Sequence, residues 1–153
     1  MILITGATGL VGAYVTAMLL RQKKAVRLLL RSTSQTDYLG EVLDFYNIPG
    51  DDRNSLIERA TGDILDVPSL EQAFTGVHKV YHSAAMISFL KRDRGLMMRI
   101  NAEGTANVIN IALTSGVKKI CHVSSIAALG RSDDRVDVIE ETIKWGPSKL
   151  NTG

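Results

Sequence analysis

Met1-Ile2-Leu3-Ile4-Thr5-Gly6-Ala7-Thr8-Gly9-Leu10-Val11-Gly12 opens the chain. Met1 to Thr5 is a short apolar run of the kind that makes a fully buried strand. From Val11 onward Val15, Met18 and Leu19 fall at helical spacing, so a helix follows. Between strand and helix stand Gly6, Gly9 and Gly12. Glycine permits a positive φ and lets the main chain approach a ligand with no Cβ in the way. The helix behind the turn aims free N–H groups and a partial positive charge at it, a seat for a pyrophosphate. Gly12 lets the helix pack close to the strand. The spacing is GxxGxxG, not the GxGxxG of the general dinucleotide fingerprint. No Lys-Ser or Lys-Thr ends it, which disfavours a P-loop triphosphatase. A tight turn without a ligand would use the same glycines. Their place between an N-terminal strand and an apolar helix favours nucleotide binding, with Gly6, Thr8, Gly9, Leu10, Val11 and Gly12 as the candidate residues.

Residues 1–20 carry no charge. A membrane span needs about 20 predominantly apolar residues, but Thr5, Gly6, Thr8, Gly9, Gly12 and Thr16 interrupt this stretch. No basic region precedes it, which argues against a signal peptide. The same alternation continues along the chain. Ala25 to Leu30, Leu56 to Thr61, Lys79 to Ser83 and Lys119 to Ser124 read as strands. Asp37 to Tyr46 reads as a short helix and Pro49-Gly50-Asp51-Asp52 as a turn. Asp66 and Pro68 announce a helix closed by Gly76. Ile87 to Gly95 fits neither pattern. Asn101 opens a long helical pattern that Gly116 stops. Ser132 to Glu141 reads as a solvated loop. Strands alternating with helices predict an α/β fold, a doubly wound parallel sheet of Rossmann type with strand order 3-2-1-4-5. Ligands in such sheets bind beyond the carboxyl ends of the strands at the switch point.

The 153 residues are 45% apolar and 22% charged, with Lys plus Arg 18 and Asp plus Glu 16, a formal charge of +2. A chain of this size buries roughly 68–70% of its unfolded surface, enough for one core. The charge balance excludes an acidic disordered tail and gives no support to a nucleic-acid partner. The one cysteine, Cys121, lies in the apolar run 120–123 and reads as a small buried core residue. It forbids an intramolecular disulfide, which fits a reducing, cytoplasmic setting. No Cys or His spacing suggests a metal site.

The strand ends hold the chemistry. Strand 2 ends Leu29-Leu30-Arg31-Ser32, where an NAD site normally offers a carboxylate to the adenosine 2′-hydroxyl. No acid appears before Asp37. The planar fork of Arg31 suits a 2′-phosphate, and the Ser32 and Thr33 hydroxyls can add to it, so NADP is favoured and NAD is the alternative. A solvated strand-end arginine is the bland alternative. After strand 3, Asp63, with Ile64 beside it, can accept from the adenine amino group; a turn-forming Asp is the rival reading. After strand 4, Ala84 and Ala85 are small where the backbone must pass a cofactor. His82 precedes them; a lone histidine near a strand end is more often structural than catalytic, and it is assigned no role. After strand 5, Ser125 can hold a substrate oxygen, or merely cap the strand; no G-x-S-x-G elbow surrounds it.

Thr5 to Gly12, Gly62-Asp63, His82-Ser83-Ala84-Ala85, Asn101 with Gly104-Thr105, and Val123-Ser124-Ser125 with Gly130 together resemble the extended short-chain dehydrogenase/reductase family, the NAD-dependent epimerase/dehydratase superfamily. The resemblance covers nearly the whole chain, in motif order. Val26-Arg27, Arg31-Ser32 and His82 to Ala85 look closest to the dihydroflavonol-reductase-like branch, typically NADP-dependent. It implies that Ser125 is the catalytic serine and Asn101 the asparagine of the central helix, where a structural role is the alternative.

The same resemblance implies a Tyr-x-x-x-Lys motif on the next helix, the tyrosine as acid/base. No tyrosine follows Ser125. Trp145-Gly146-Pro147-Ser148-Lys149 is a degenerate match, but indole cannot exchange a proton as a phenol does, and Pro147 would break the turn. The expectation is an incomplete NAD(P)-binding Rossmann domain over 1–153, stopping before the tyrosine helix and lacking a C-terminal substrate domain. The parent would be an oxidoreductase reducing a ketone or aldehyde. The chain alone would bind cofactor without turnover. The alternatives are a non-catalytic, redox-sensing dinucleotide module and, within the family, a nucleotide-sugar epimerase or dehydratase. The expected partner is a small carbonyl or alcohol substrate, with no nucleic acid and no membrane. Self-association, or fraying after about Gly130, is expected from an exposed sheet edge.

Overall fold

The structure is a computed structural model and describes residues 1–125. The chain divides into two units, Met1–His122 and Val123–Gly153; the fold described is that of the first. Gly130, the 132–141 loop and the Trp145 to Lys149 match lie outside the described residues.

Five parallel strands form the sheet: β1 Ile2–Thr5, β2 Val26–Leu30, β3 Ile57–Thr61, β4 Lys79–His82 and β5 Lys119–His122, in the order β3-β2-β1-β4-β5. This is the expected doubly wound order. The connections run α1 Leu10–Arg21, α2 Asp37–Phe45, α3 Gly50–Leu56, α4 Val67–Phe74, α5 Arg94–Met98 and α6 Thr105–Thr114. A 3₁₀ turn at Lys91–Asp93 leads into α5, and a π-helical turn at Arg99–Gly104 joins α5 to α6.

Strand alternation divides the core into two layers. Ile2, Ile4, Val26 and Leu28 face one side, packed with Ala13, Ala17 and Leu20 of α1 and Leu39, Val42 and Leu43 of α2. Leu3, Leu29 and Val80 face the other, packed with Leu70, Ala73 and Phe74 of α4 and Val108, Ile111 and Ala112 of α6. Burying one such large side chain stabilises by roughly 1.5–3 kcal/mol. On the second face Arg27 donates to the Ala73 and Thr75 carbonyls at 2.7 Å each and pairs with Glu58 at 2.8 Å. A cation at the end of α4 complements its dipole.

Three readings need correction. The Pro49 to Asp52 cluster opens helix α3 instead of ending in a turn: Pro49 is its N-cap and Asp51 and Asp52 lie in its first turn, where acids are favoured. Arg53 seals it by donating to the Ile48 carbonyl and to Asp44. Asn101 does not open the long helix but sits inside the π-helical turn, the helical path having begun upstream. Cys121 is exposed, not core. The register sets it beside Tyr81, which pairs in turn with Ile4, on the face that α1 and α2 cover over β1 and β2, whereas β5 stands at the sheet edge among the described strands.

Candidate functional site

The register brings Thr5, Leu29 and His82 level at the carboxyl ends of β1, β2 and β4. A cleft of about 700 Å³ opens above them. Its floor is the glycine turn. Gly6 adopts φ 72°, and a Cβ there would lie 2.6 Å from the Ala84 nitrogen and the Ser83 carbonyl carbon. The Gly9 N–H donates to the Gly6 carbonyl at 3.0 Å and closes the turn. Helix α1 then starts with no side-chain cap and no acid in its first turn, so its leading N–H groups and dipole face the turn unsatisfied by side chains. Gly12 is buried behind the turn, as its predicted packing role requires.

Gly6, Thr8, Gly9, Arg31, Asp63, Ile64, Ala84 and Ala85 all line this cleft. Leu10 and Val11 do not. Their side chains line a separate apolar groove with Tyr14, Met18 and Tyr81, so only their backbone can serve the turn. Ser32 is exposed outside the lining. Ser34 takes the place: its N–H donates to the Arg31 carbonyl at 2.9 Å, and its hydroxyl accepts the Arg31 N–H at 2.9 Å. That two-way clasp folds the polar loop back and presents Ser34 beside Arg31. Met86, Leu96 and Ile100 also line the cleft. Leu96 and Ile100 were hidden because the pattern of 87–95 is neither strand nor helix.

The turn reading of Asp63 holds. One carboxylate oxygen accepts the Leu65 N–H at 2.9 Å, an Asx turn. Asp63 also stands in the cleft wall. The helical path 94–114 fastens that wall. Asn107 donates to the Ile64 carbonyl at 3.0 Å, and Gly104 leaves room for the Ile64 side chain, which a Cβ would meet at 2.6 Å. Asn101 takes the Met86 N–H at 2.8 Å and donates to the Met86 carbonyl at 2.9 Å. Its role in the described residues is therefore to hold the loop after β4, the structural alternative named for it.

His82 is fully buried. Its Nδ1 lies 2.6 Å from the Thr5 hydroxyl and its Nε2 3.0 Å from the Thr105 hydroxyl. Burial first, and the neighbouring His122 ring second, push its pKa down from 6.5 to about 4. The ring is neutral at pH 7. Ser125, three residues beyond β5, is exposed and belongs to the second unit.

A doubly wound sheet whose switch point carries a glycine turn and an uncapped helix start has the form of a dinucleotide-binding domain. The chain belongs to the NAD dependent epimerase/dehydratase family, whose model matches residues 2–152. It is 34% identical over 128 residues to sterol demethylase protein B of Methylococcus capsulatus, covering 84% of this chain and 35% of that protein. It is 34% identical over 131 residues to a putative dihydroflavonol 4-reductase of Synechocystis sp., covering 86% and 34%. A solved short-chain dehydrogenase/reductase superfamily protein from Agrobacterium tumefaciens, with bound NAD, superposes with a TM-score of 0.73 at 25% identity, covering 98% of this chain and 40% of that one. The chain spans about a third of the length of the curated relatives it matches. No helix among the described residues is long and apolar enough to cross a membrane.

Proposed function

We propose that this chain is the cofactor-binding part of an oxidoreductase that reduces a ketone or aldehyde carbon of a small molecule, with NADP preferred over NAD. The observation that carries the reading is the junction of the closed Gly6–Gly9 turn with an α1 start that no side chain caps or neutralises. An anion is the partner such a helix start lacks. The residues present fit a dinucleotide. The backbone of Gly9 to Gly12 would hold the diphosphate, the second oxygen of Asp63 the adenine amino group, and Arg31 with Ser34 the 2′-phosphate. Ala84 and Ala85 keep the opposite wall low. The nicotinamide, when bound, supplies or accepts the hydride. Ser125 is assigned the substrate oxygen. Relatives named as reductases support the carbonyl chemistry, and one relative named for sterol demethylation widens the substrate range to apolar molecules.

Thermal unfolding with equal NADP and NAD tests the cofactor. NADP is expected to give the larger shift. Arg31→Ala should remove the difference and leave the NAD shift in place, since a charge-assisted bond contributes about 1.5–3 kcal/mol, on the order of ten- to a hundredfold in affinity. A larger shift with NAD in the parent chain overturns the Arg31 assignment.

A further inference from the structure

We propose that His82 is a positioning residue for the dinucleotide turn: as the Nε2–H tautomer it accepts the Thr5 hydroxyl at Nδ1 and thereby locks the Thr5–Gly6 corner against Ala84. The inference rests on the cleft being a dinucleotide site, and no part of that reading uses His82.

Donor accounting together with burial selects the tautomer. The Thr5 hydroxyl has one hydrogen and two lone pairs. It accepts the Ala84 N–H at 3.3 Å and lies 2.6 Å from His82 Nδ1. Were Nδ1 protonated, the Thr5 oxygen would accept twice and its own hydrogen would need another acceptor. Among the described residues Thr5 makes no such bond. With Nδ1 bare the chain runs Ala84 N–H to Thr5, Thr5 O–H to Nδ1, Nε2–H to the Thr105 hydroxyl at 3.0 Å; the hydrogen then left over belongs to Thr105, which is only half-buried and can turn to water, whereas Thr5 is fully buried and its hydrogen could not. The ring's burial, and its stacking on His122 at 5.1 Å between centroids, keep it neutral.

The two limbs have different consequences. The Thr5 limb ends at the residue before Gly6. There the Thr5 carbonyl also accepts the Ser83 N–H at 3.1 Å and the Ser83 hydroxyl at 2.8 Å, and Gly6 leaves no room for a Cβ, which would lie 2.6 Å from the Ala84 nitrogen. Rotation of Thr5 would shift both cleft walls together. The Thr105 limb ends on α6, away from the glycine turn, and serves the fold.

Asparagine can reproduce a bond at the Nδ1 position and glutamine one at the Nε2 position, so the limbs can be cut separately. The dissociation constant for NADP, by calorimetry, and the urea midpoint should be measured for His82→Asn, His82→Gln, Thr5→Val and Thr105→Val. All four are expected to lower the midpoint. His82→Asn and Thr105→Val should bind within about twofold of the parent, while His82→Gln and Thr5→Val should bind about tenfold more weakly, one hydrogen bond's worth. Long-range ¹H–¹⁵N NMR of the parent should show the His82 proton on Nε2 at pH 7. Equal affinities for the two members of each pair, or a proton on Nδ1, overturn the proposal. If the histidine variants do not fold, the threonine pair decides. A parent chain that binds neither dinucleotide overturns the site reading itself and this proposal with it, whereas tight binding by the parent with no split between variants overturns this proposal alone.

Discussion

Gly12→Ala is expected to cost about 3–5 kcal/mol, near the lower end of a domain's whole stability, and to abolish dinucleotide binding. The added Cβ would lie 2.1 Å from the Gly6 carbonyl oxygen, 2.7 Å from its carbon and 2.8 Å from the Ala7 Cα. All three are backbone atoms of the turn, so no side chain can swing aside. Helix α1 would have to lift from the sheet, taking Ala13 and Ala17, both fully buried, with it. The bond from the Thr16 hydroxyl to the Gly12 carbonyl, 2.7 Å, would be strained as well. Overpacking by one methyl alone costs about 1–3 kcal/mol; the displaced helix adds the rest. Gly9→Ala is the contrast. Gly9 sits at φ −88°, ψ 170°, where any residue is comfortable, and its Cβ would meet only the Gly6 oxygen at 3.4 Å. Its urea midpoint should stay within about 0.5 kcal/mol of the parent. Its NADP affinity should fall about tenfold or more, because the methyl stands on the cleft floor where the diphosphate must approach. A parent-like midpoint for Gly12→Ala would show that the helix has slack, and parent-like binding by Gly9→Ala would place the diphosphate elsewhere.

The contrast also shows which parts of the molecule were legible in the sequence. The strand, turn and helix of 1–21 follow from local rules: an apolar run, glycine spacing and a 3.6-residue period. The strand order follows from alternation and handedness, because right-handed crossovers leave few topologies. What was hidden depends on individual side-chain bonds and packing that leave no periodic signal, some of them short in sequence and some spanning the fold. Pro49-Gly50 has the composition of a turn; Arg53, reaching back to Ile48 and Asp44, makes the segment a helix. Ser32 and Ser34 are alike as letters; only the clasp on Arg31 turns Ser34 to the cleft. The π-helical turn at 99–104 has no periodic signature, yet it sets Asn101 against Met86 and Gly104 against Ile64. Cys121 sits in an apolar run, and its exposure depends on which elements reach the edge strand. The sequence assigned His82 no role; its coupling to Thr5 required the 77-residue separation to be closed by the fold.

The burial of the His82 ring, with His122 beside it, makes stability depend on pH. Between about pH 6.5 and 4 the chain should become less stable as acid is added. His82 has a folded pKa of about 4 against an ordinary 6.5, so in this window the unfolded chain binds a proton that the folded chain refuses. The stabilisation is fully present above 6.5 and is lost as pH falls towards 4. A pKa unit corresponds to about 1.4 kcal/mol, so the loss over the window is on the order of 3 kcal/mol. His78 leans the same way: desolvation by its neighbours and then the N-terminal ammonium, 2.8 Å from its ring, hold its pKa down. It lies at the exposed amino end of β4, so the two can be separated. His82→Asn should be less stable than the parent at pH 7 yet flatter across the window, the two curves converging as pH approaches 4. His78→Gln should keep most of the parent's slope. Urea midpoints at pH 7, 6, 5 and 4.5 measure this directly. Were His82→Asn to fall as steeply as the parent, the buried ring would not be the group that resists the proton, and the acid sensitivity would belong to the carboxylates instead.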